Sequence, residues 1–285
     1  MPAIPKNLDW EFTPDSPDWD GNISRILAYK HLILSMVRRD FLLNFQQTVL
    51  GPAWLFVQPL LTMLVYTIVF GKLIGIKTGN SLPPLLFYYT GIVLWNFFSE
   101  SFSGISRTYR DNIHIFSKVY FPRIVAPIAL IITYTIRFAI QFSLLIPMII
   151  YFMTTGQLHF TLKFSMLVLP LVVLVIAVLS FSIGLIFSVI TAKYRDIANL
   201  IDLCIRLLFF ATPVLYPISF IREDMRWIVN LNPLTHLFEL FRSLLFSEGT
   251  IHYMTLAATI GFVGFCLFIS VYIFNKFSTR LIDII

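Results

Sequence analysis

An all-α integral membrane protein is the fold class this sequence predicts, on three observations. Six separate stretches are each apolar over about 20 residues, the length a helix needs to cross a hydrocarbon core of about 30 Å. Hydrophobic residues make up 58% of the 285-residue chain and charged residues only 13%, with a mean hydropathy of +0.82. Lysine and arginine fall mainly on alternate connections, as expected of a chain threaded back and forth through a bilayer.

Residues 1–22 form an acidic tail, in which Lys6 stands against Asp9, Glu11, Asp15, Asp18 and Asp20. With Pro14 and Pro17 it lacks the charged-then-apolar order of a cleavable leader, so the first span is expected to direct insertion itself. Residues 23–50 read as an amphipathic interfacial helix. Ile26, Leu27, Ile33, Leu34, Val37, Phe41 and Phe45 recur at helical spacing, while Arg25, Lys30, Arg38, Arg39 and Gln46 fall mostly elsewhere. Such a helix lies along the membrane surface, either as an anchor or as a docking element.

Residues 51–285 are expected to form a six-helix transmembrane domain with spans at 53–74, 84–104, 124–153, 165–190, 200–220 and 251–274. The third is too long for a perpendicular crossing, so it should tilt, kink near Pro127 or Pro147, or project beyond the bilayer. The apolar piece at 227–246 is interrupted by Asn230, Asn232 and Pro233. Proline disfavours helix in the residue before it, which predicts two short helices with a break at Asn232-Pro233. Neither half spans the bilayer, so the segment reads as a lid or a re-entrant gate before the last span.

With the N-terminus inside, thirteen of the 21 Lys and Arg face the cytoplasm and six face out, so both termini are expected to be cytoplasmic. The formal net charge of +6 then reports basic residues beside anionic lipid, and nucleic acid is not implied. Cys204 and Cys266 lie within spans, and the five histidines are scattered, so no metal site is expected. Small residues four apart at Ser180, Gly184 and Ser188, and at Ala257 and Gly261, predict close helix packing.

Away from the span ends, Arg137 and Arg206 are the basic residues inside spans. A central arginine costs roughly 2.5 to 3.5 kcal/mol on insertion, so Arg137 should face the bundle interior or water, with Glu100 as a partner by depth. Asp202 and Arg206, one turn apart with the acid first, predict a local pair. The aromatic side chains Tyr88, Tyr89, Trp95 and Phe98 in the second span, and Tyr134, Phe138 and Phe142 in the third, offer apolar faces and hydroxyls that suit a sliding sugar. Facing lipid is their other reading. The chain has no phosphate-binding glycine-rich loop, since Gly71-Lys72 is followed by Leu73, and no set of nucleophile and base; no enzymatic activity is expected.

The combination Arg38-Arg39-Asp40-Phe41, Thr48-Val49-Leu50-Gly51-Pro52-Ala53-Trp54, Gln58-Pro59-Leu60, Tyr89-Thr90-Gly91-Ile92 and Leu94-Trp95-Asn96-Phe97-Phe98 resembles type-2 ABC exporter permeases. So do Lys118-Val119-Tyr120-Phe121-Pro122-Arg123, Tyr194-Arg195-Asp196-Ile197, Thr212-Pro213-Val214-Leu215-Tyr216-Pro217 and Asn232-Pro233-Leu234-Thr235-His236-Leu237. The similarity is to the branch exporting lipid-linked polysaccharides such as O-antigen, capsule and teichoic acid. Two departures are an absence of basic residues around Asn44-Phe45-Gln46 and Ile124 where an acid often follows the Pro-Arg pair.

The resemblance implies a homodimeric channel in a bacterial inner membrane, with two copies of a cytoplasmic ABC ATPase. It implies no cofactor on this chain; ATP and Mg would bind the partner ATPase. Coupling would fall to Arg38, Arg39, Asp40, Arg107, Arg110, Asp111, Lys193, Tyr194, Arg195 and Asp196. The substrate channel would be lined by Tyr88, Tyr89, Trp95, Phe98, Tyr134, Arg137, Phe138 and Phe142. Asn232, Pro233, His236, Glu239 and Arg242 would form an outer gate. Two rival readings remain at this point: an ion-coupled carrier with Glu100 or Asp202 titrating, and a membrane enzyme acting on lipid-linked sugars.

Overall fold

Apolar residues at helical spacing dominate the long segments, and the computed structural model describes residues 23–43, 45–76, 82–112, 116, 121–247 and 253–278. Every regular element among them is helical. The acidic tail at 1–22, Asn44 and the Lys118-Val119-Tyr120 stretch lie outside the described residues.

The expected surface helix is two pieces, α1 (Ile23–Ala28) and α2 (Lys30–Leu43), separated by a turn at Tyr29. It stops short of the expected residue 50, where Gln47 takes a positive φ of 61°. The buried face of α2, Ile33, Met36 and Val37, packs on Val125, Ala126 and Ala129 at the start of α6 (Val125–Ser143). Leu27 and Leu34 stay exposed.

Helix α3 (Trp54–Tyr66) continues through a wide turn at Thr67–Leu73. After α4 (Pro84–Ser106) and α5 (Thr108–Asp111), α6 is followed by α7 (Leu145–Thr154). The break at Leu144 has a local cause: the ring of Pro147 crowds the carbonyl four residues earlier, that of Ser143. Then come α8 (Leu169–Lys193), α9 (Ile197–Ala211), α10 (Arg226–Asn230), α11 (Pro233–Phe246) and α12 (Tyr253–Ser278).

Among the described residues, four continuous helical runs are long and apolar enough to cross a membrane: Gly51–Leu73, Val125–Thr154, Phe164–Lys193 and Met254–Phe277. The other two expected spans differ for distinct reasons. Helix α4 has the length but carries Thr90, Asn96, Ser99, Glu100, Ser101 and Ser103, and it is the centre of the bundle, packed against α3, α6, α8, α9 and α11. Its polar residues are tolerated because protein surrounds most of it. Helix α9 ends at Ala211 instead of residue 220, because Pro213 takes its predecessor out of the helical region. Its 15 residues measure about 22 Å, short of a hydrocarbon core.

The main core gathers Leu86, Tyr88, Tyr89, Leu94 and Phe98 of α4 with Ile176 and Leu179 of α8 and Phe238 and Phe241 of α11. Ser180, Gly184 and Ser188 form the expected close-packing face, with both serines fully buried. A Cβ on Gly184 would meet the Ile105 side chain at 2.8 Å. Gly184→Leu is therefore expected to force α8 from α4 and cost on the order of 1–3 kcal/mol, read as a lower aggregation temperature in detergent.

The second small-residue stripe behaves otherwise. Ala257 and Gly261 are exposed, and nothing lies within 4 Å of a Cβ on Gly261. Within the chain α12 instead buries Thr259, Val263, Ser270 and Phe274. These residues recur at helical spacing and carry more side-chain surface to bury than alanine or glycine does.

Candidate coupling and translocation site

Short-range polar and aromatic contacts converge on α5. Arg107, at the junction of α4 and α5, pairs with Asp202 of α9. The Thr191 hydroxyl near the end of α8 donates to the Ser106 carbonyl. Arg39 of α2 donates to Asn112 Oδ1 at 3.2 Å and pairs with Asp40 at 2.7 Å. Beneath these, Ile105, Tyr109, Ile124, Leu185 and Phe274 form a small apolar cluster in which Tyr109 and Phe274 rings lie 5.6 Å apart. A four-residue helix is thus fixed to α2, α4, α8, α9 and α12 at once, so displacing it must move several long helices together.

The expected coupling residues divide into those that build this hub and those that surround it. Arg39, Asp40 and Arg107 are partly buried within it. Arg110 and Asp111 pair with each other at 3.1 Å on its exposed side. Arg38, Lys193, Tyr194, Arg195 and Asp196 are exposed, with Lys193 5.3 Å from the Tyr194 ring. The expected Asp202–Arg206 pair does not form. Asp202 is engaged by Arg107 from another helix, and Arg206, one turn further along α9, is exposed.

Between α4 and α6, Arg137 meets Glu100 at 3.2 Å, the partner expected from depth. Its guanidinium also lies 5.4 Å from the Tyr134 ring and 5.7 Å from the Phe45 ring, both within cation–π range. Tyr134 fits because residue 104 is glycine: a Cβ there would stand 2.2 Å from its hydroxyl.

The aromatic residues expected along a path are mostly interior. Tyr88, Tyr89 and Phe98 are fully buried, and Trp95 and Phe138 nearly so. Tyr89 donates to the Gln141 carbonyl at 2.6 Å, and Trp95 stacks edge-on to Phe209 at 5.3 Å. Phe142 and Tyr134 are half-buried. Phe138 and Phe142 stack at 5.7 Å and Phe142 continues to Phe241. These rings fill the subunit's core.

Helices α10 and α11 meet at the expected break. Asn232 caps α11 by accepting from Leu234 N–H at 3.0 Å, and its amide donates to Thr212 Oγ1 at 2.8 Å. Replacing Asn232 with alanine removes both and is expected to cost about 1–2 kcal/mol, read as faster cleavage between α10 and α11 in limited proteolysis. His236 Nε2 contacts the Asn230 carbonyl at 3.0 Å, and Glu239 accepts from the Ile218 backbone.

Arg242, expected in the outer gate, is 4% exposed and acts as an internal bolt. It donates to the carbonyls of Pro213 at 2.6 Å, Val214 at 3.3 Å and Phe87 at 3.4 Å, and its guanidinium lies 3.7 Å from the Phe87 ring centroid. Gly91 makes room for it, since a Cβ there would stand 2.5 Å from Arg242 Nη2. The segments 89–92, 212–217 and 232–237, far apart in the chain, are therefore parts of one joint.

The sequence did not single out Asn112, Thr191, Ser106 or Phe274, and it drew Gly91 in only as part of the Tyr89-Thr90-Gly91-Ile92 block. Only Gly91 carried a signal, as an isolated glycine within a helical run, which often marks a close approach.

Comparison with known proteins places these features in a lineage. Two proteins named "O-antigen export system permease protein RfbA" from Klebsiella pneumoniae are 27% and 28% identical over 255 residues, covering 89% of this chain and 95% of each relative. A protein of the same name from Myxococcus xanthus is 27% identical over 79% of this chain and 84% of its own. The family model described as "ABC-2 type transporter" matches residues 31–246, a stretch running from α2 through the hub and the central pair to the last residue of α11, and the chain belongs to that family.

Proposed function

We propose that this chain is the transmembrane permease subunit of an ATP-driven exporter that moves a lipid-linked polysaccharide from the cytoplasm across a bacterial inner membrane. The observation that carries this reading is the near-full-length similarity to O-antigen export permeases. The chain then contributes the path and a partner ABC ATPase, holding ATP and Mg, contributes the energy. Two permease copies with two ATPase copies make the working unit, with both termini of each permease in the cytoplasm.

In this reading the chain crosses six times. Helix α4 crosses inside the bundle, and α9 completes its crossing through residues 212–220. Residues 1–22 form a cytoplasmic tail, residues 23–50 an interfacial element, and residues 51–285 the transmembrane domain. The exposed charges Arg38, Arg110, Asp111, Lys193, Arg195 and Asp196, with Tyr194, dock the ATPase. Arg39, Asp40 and Arg107 transmit its stroke, because they join α5 to α2 and α9. Arg242 and Asn232 hold the outer joint on which α10 and α11 hinge, with Pro233, His236 and Glu239 at the hinge itself. The buried rings of Tyr88, Tyr89, Trp95, Phe98 and Phe138 stiffen the helices beside the path, while Tyr134, Arg137 and Phe142 lie nearer its edge.

Tagged chain, extracted in mild detergent, is expected to bring down an ABC ATPase whose ATP hydrolysis rises with the exported glycolipid. Arg195→Ala and Arg110→Ala should leave hydrolysis running while export falls. Unchanged coupling in both variants would refute the docking assignment.

A further inference from the structure

Of residues 86–106 in α4, only Asn96, Ser99, Glu100, Ser103 and Gly104 escape full burial. Gly104 is covered by Tyr134. The others, continued by Arg107, recur at intervals of three and four, so they form one stripe along one face of the helix. That stripe covers about 16 Å of helix axis. It ends outward at Asn96, beside the Trp95–Phe209 contact, and inward at the Arg107–Asp202 pair.

The chemistry of this stripe is unlike the rest of the bundle surface. Where α3, α7, α9 and α12 leave faces unburied, they show Leu61, Leu64, Ile146, Ile150, Leu203, Leu207, Phe265 and their like. The α4 stripe offers an amide, two hydroxyls and a carboxylate. Glu100 binds Arg137 through Oε2, yet its side chain remains 40% exposed. Asn96 and Ser103 side chains make no hydrogen bond with a described residue. On the flank, Arg206 adds an exposed cation one turn from Asp202. Acyl chains offer nothing to these groups, and a half-open carboxylate at membrane depth requires water or a polar partner.

We propose that the polar stripe Asn96, Ser99, Glu100 and Ser103 lines the inner half of the route and contacts the sugar chain of the exported glycolipid. This rests on the proposed function. Sugar hydroxyls donate to Glu100 and the Asn96 carbonyl and accept from the Asn96 amide and the serine hydroxyls. Such exchangeable hydrogen bonds let a hydroxyl-rich chain advance without a deep minimum. The path is therefore polar at its cytoplasmic half, and its aromatic rings stand behind that wall.

The test uses the full chain with its ATPase in inside-out vesicles, in a Cys204→Ala, Cys266→Ala background. Ser99→Cys and Ser103→Cys are each treated with a charged, impermeant thiosulfonate, with Phe262→Cys on the apolar face of α12 as control. Both serine positions are expected to react and the control not to. At ten times its Kd, the glycolipid should slow both reactions about tenfold, as occupancy dictates. Export is measured in the same vesicles, and Asn96→Cys replaces any serine variant that fails to export. No reaction at these positions, which a second copy or lipid covering the stripe would produce, overturns the proposal. So does reaction unaffected by glycolipid in vesicles that still export it. Vesicles whose ATPase turns over but whose parent chain moves no glycolipid would overturn the proposed function as well, which separates the two failures.

Discussion

Arg242→Leu is expected to be the most damaging single substitution in this chain. The guanidinium serves three backbone carbonyls, those of Phe87, Pro213 and Val214, in a site with almost no access to water. Leucine leaves each acceptor without its charged donor, and an unsatisfied buried polar group costs about 1–3 kcal/mol. The total, at least about 3 kcal/mol, is a large part of the margin of an ordinary domain. Arg242→Lys should recover only part of it, because one ammonium cannot reproduce the planar fork. Gly91→Ala attacks the same joint from α4, placing a methyl 2.5 Å from Nη2 and 3.0 Å from the Val214 carbonyl. The two substitutions should be strongly non-additive, since each disrupts one shared contact. Thermal aggregation and the membrane-inserted amount of the singles and the double decide this; an Arg242→Leu chain as stable as its parent would show that the joint holds without its bolt.

The second large effect is expected at Arg107 and Asp202, and it should appear in coupling before stability. Both side chains are partly exposed, so the pair adds little to the folded state. Its position is what matters, since it ties α5 to α9 in the hub proposed to receive the ATPase stroke. Arg107→Asp sets two carboxylates facing one another and should lower export per ATP hydrolysed by roughly tenfold, within the range of couplings between contacting residues. Asp202→Arg should do the same, and the double reversal should restore export. Failure of the double to recover, with ATPase docking intact, would show that the charges act independently.

The helices were legible because their apolar runs are long and the breakers are proline. Asn232-Pro233 broke the outer segment where expected, and Glu100 met Arg137 because depth alone restricts a membrane carboxylate to few partners. Other features depended on contacts between distant segments. Asp202 had a good local partner in Arg206, yet a cation from α4 displaced it, and spacing along one helix carries no information about its neighbours. The aromatic residues of α4 were expected along a path because rings suit sugars. They are as well suited to filling a core, and periodicity cannot say which side of a central helix is closed. Ala257 and Gly261 had the spacing of a packing face without being used as one within the subunit. Arg242 read as an outer charge from its place in the chain, since nothing in the sequence reveals that three carbonyls converge on it.

In the proposed function this chain is a conduit driven by a separate motor. Reconstitution into liposomes tests it most directly, with glycolipid translocation measured for the chain alone and for the chain with its ABC ATPase and MgATP. The chain alone is expected to give no net translocation, with or without an ion gradient, and the assembly ATP-dependent translocation. Uphill movement of glycolipid by the isolated chain would contradict it.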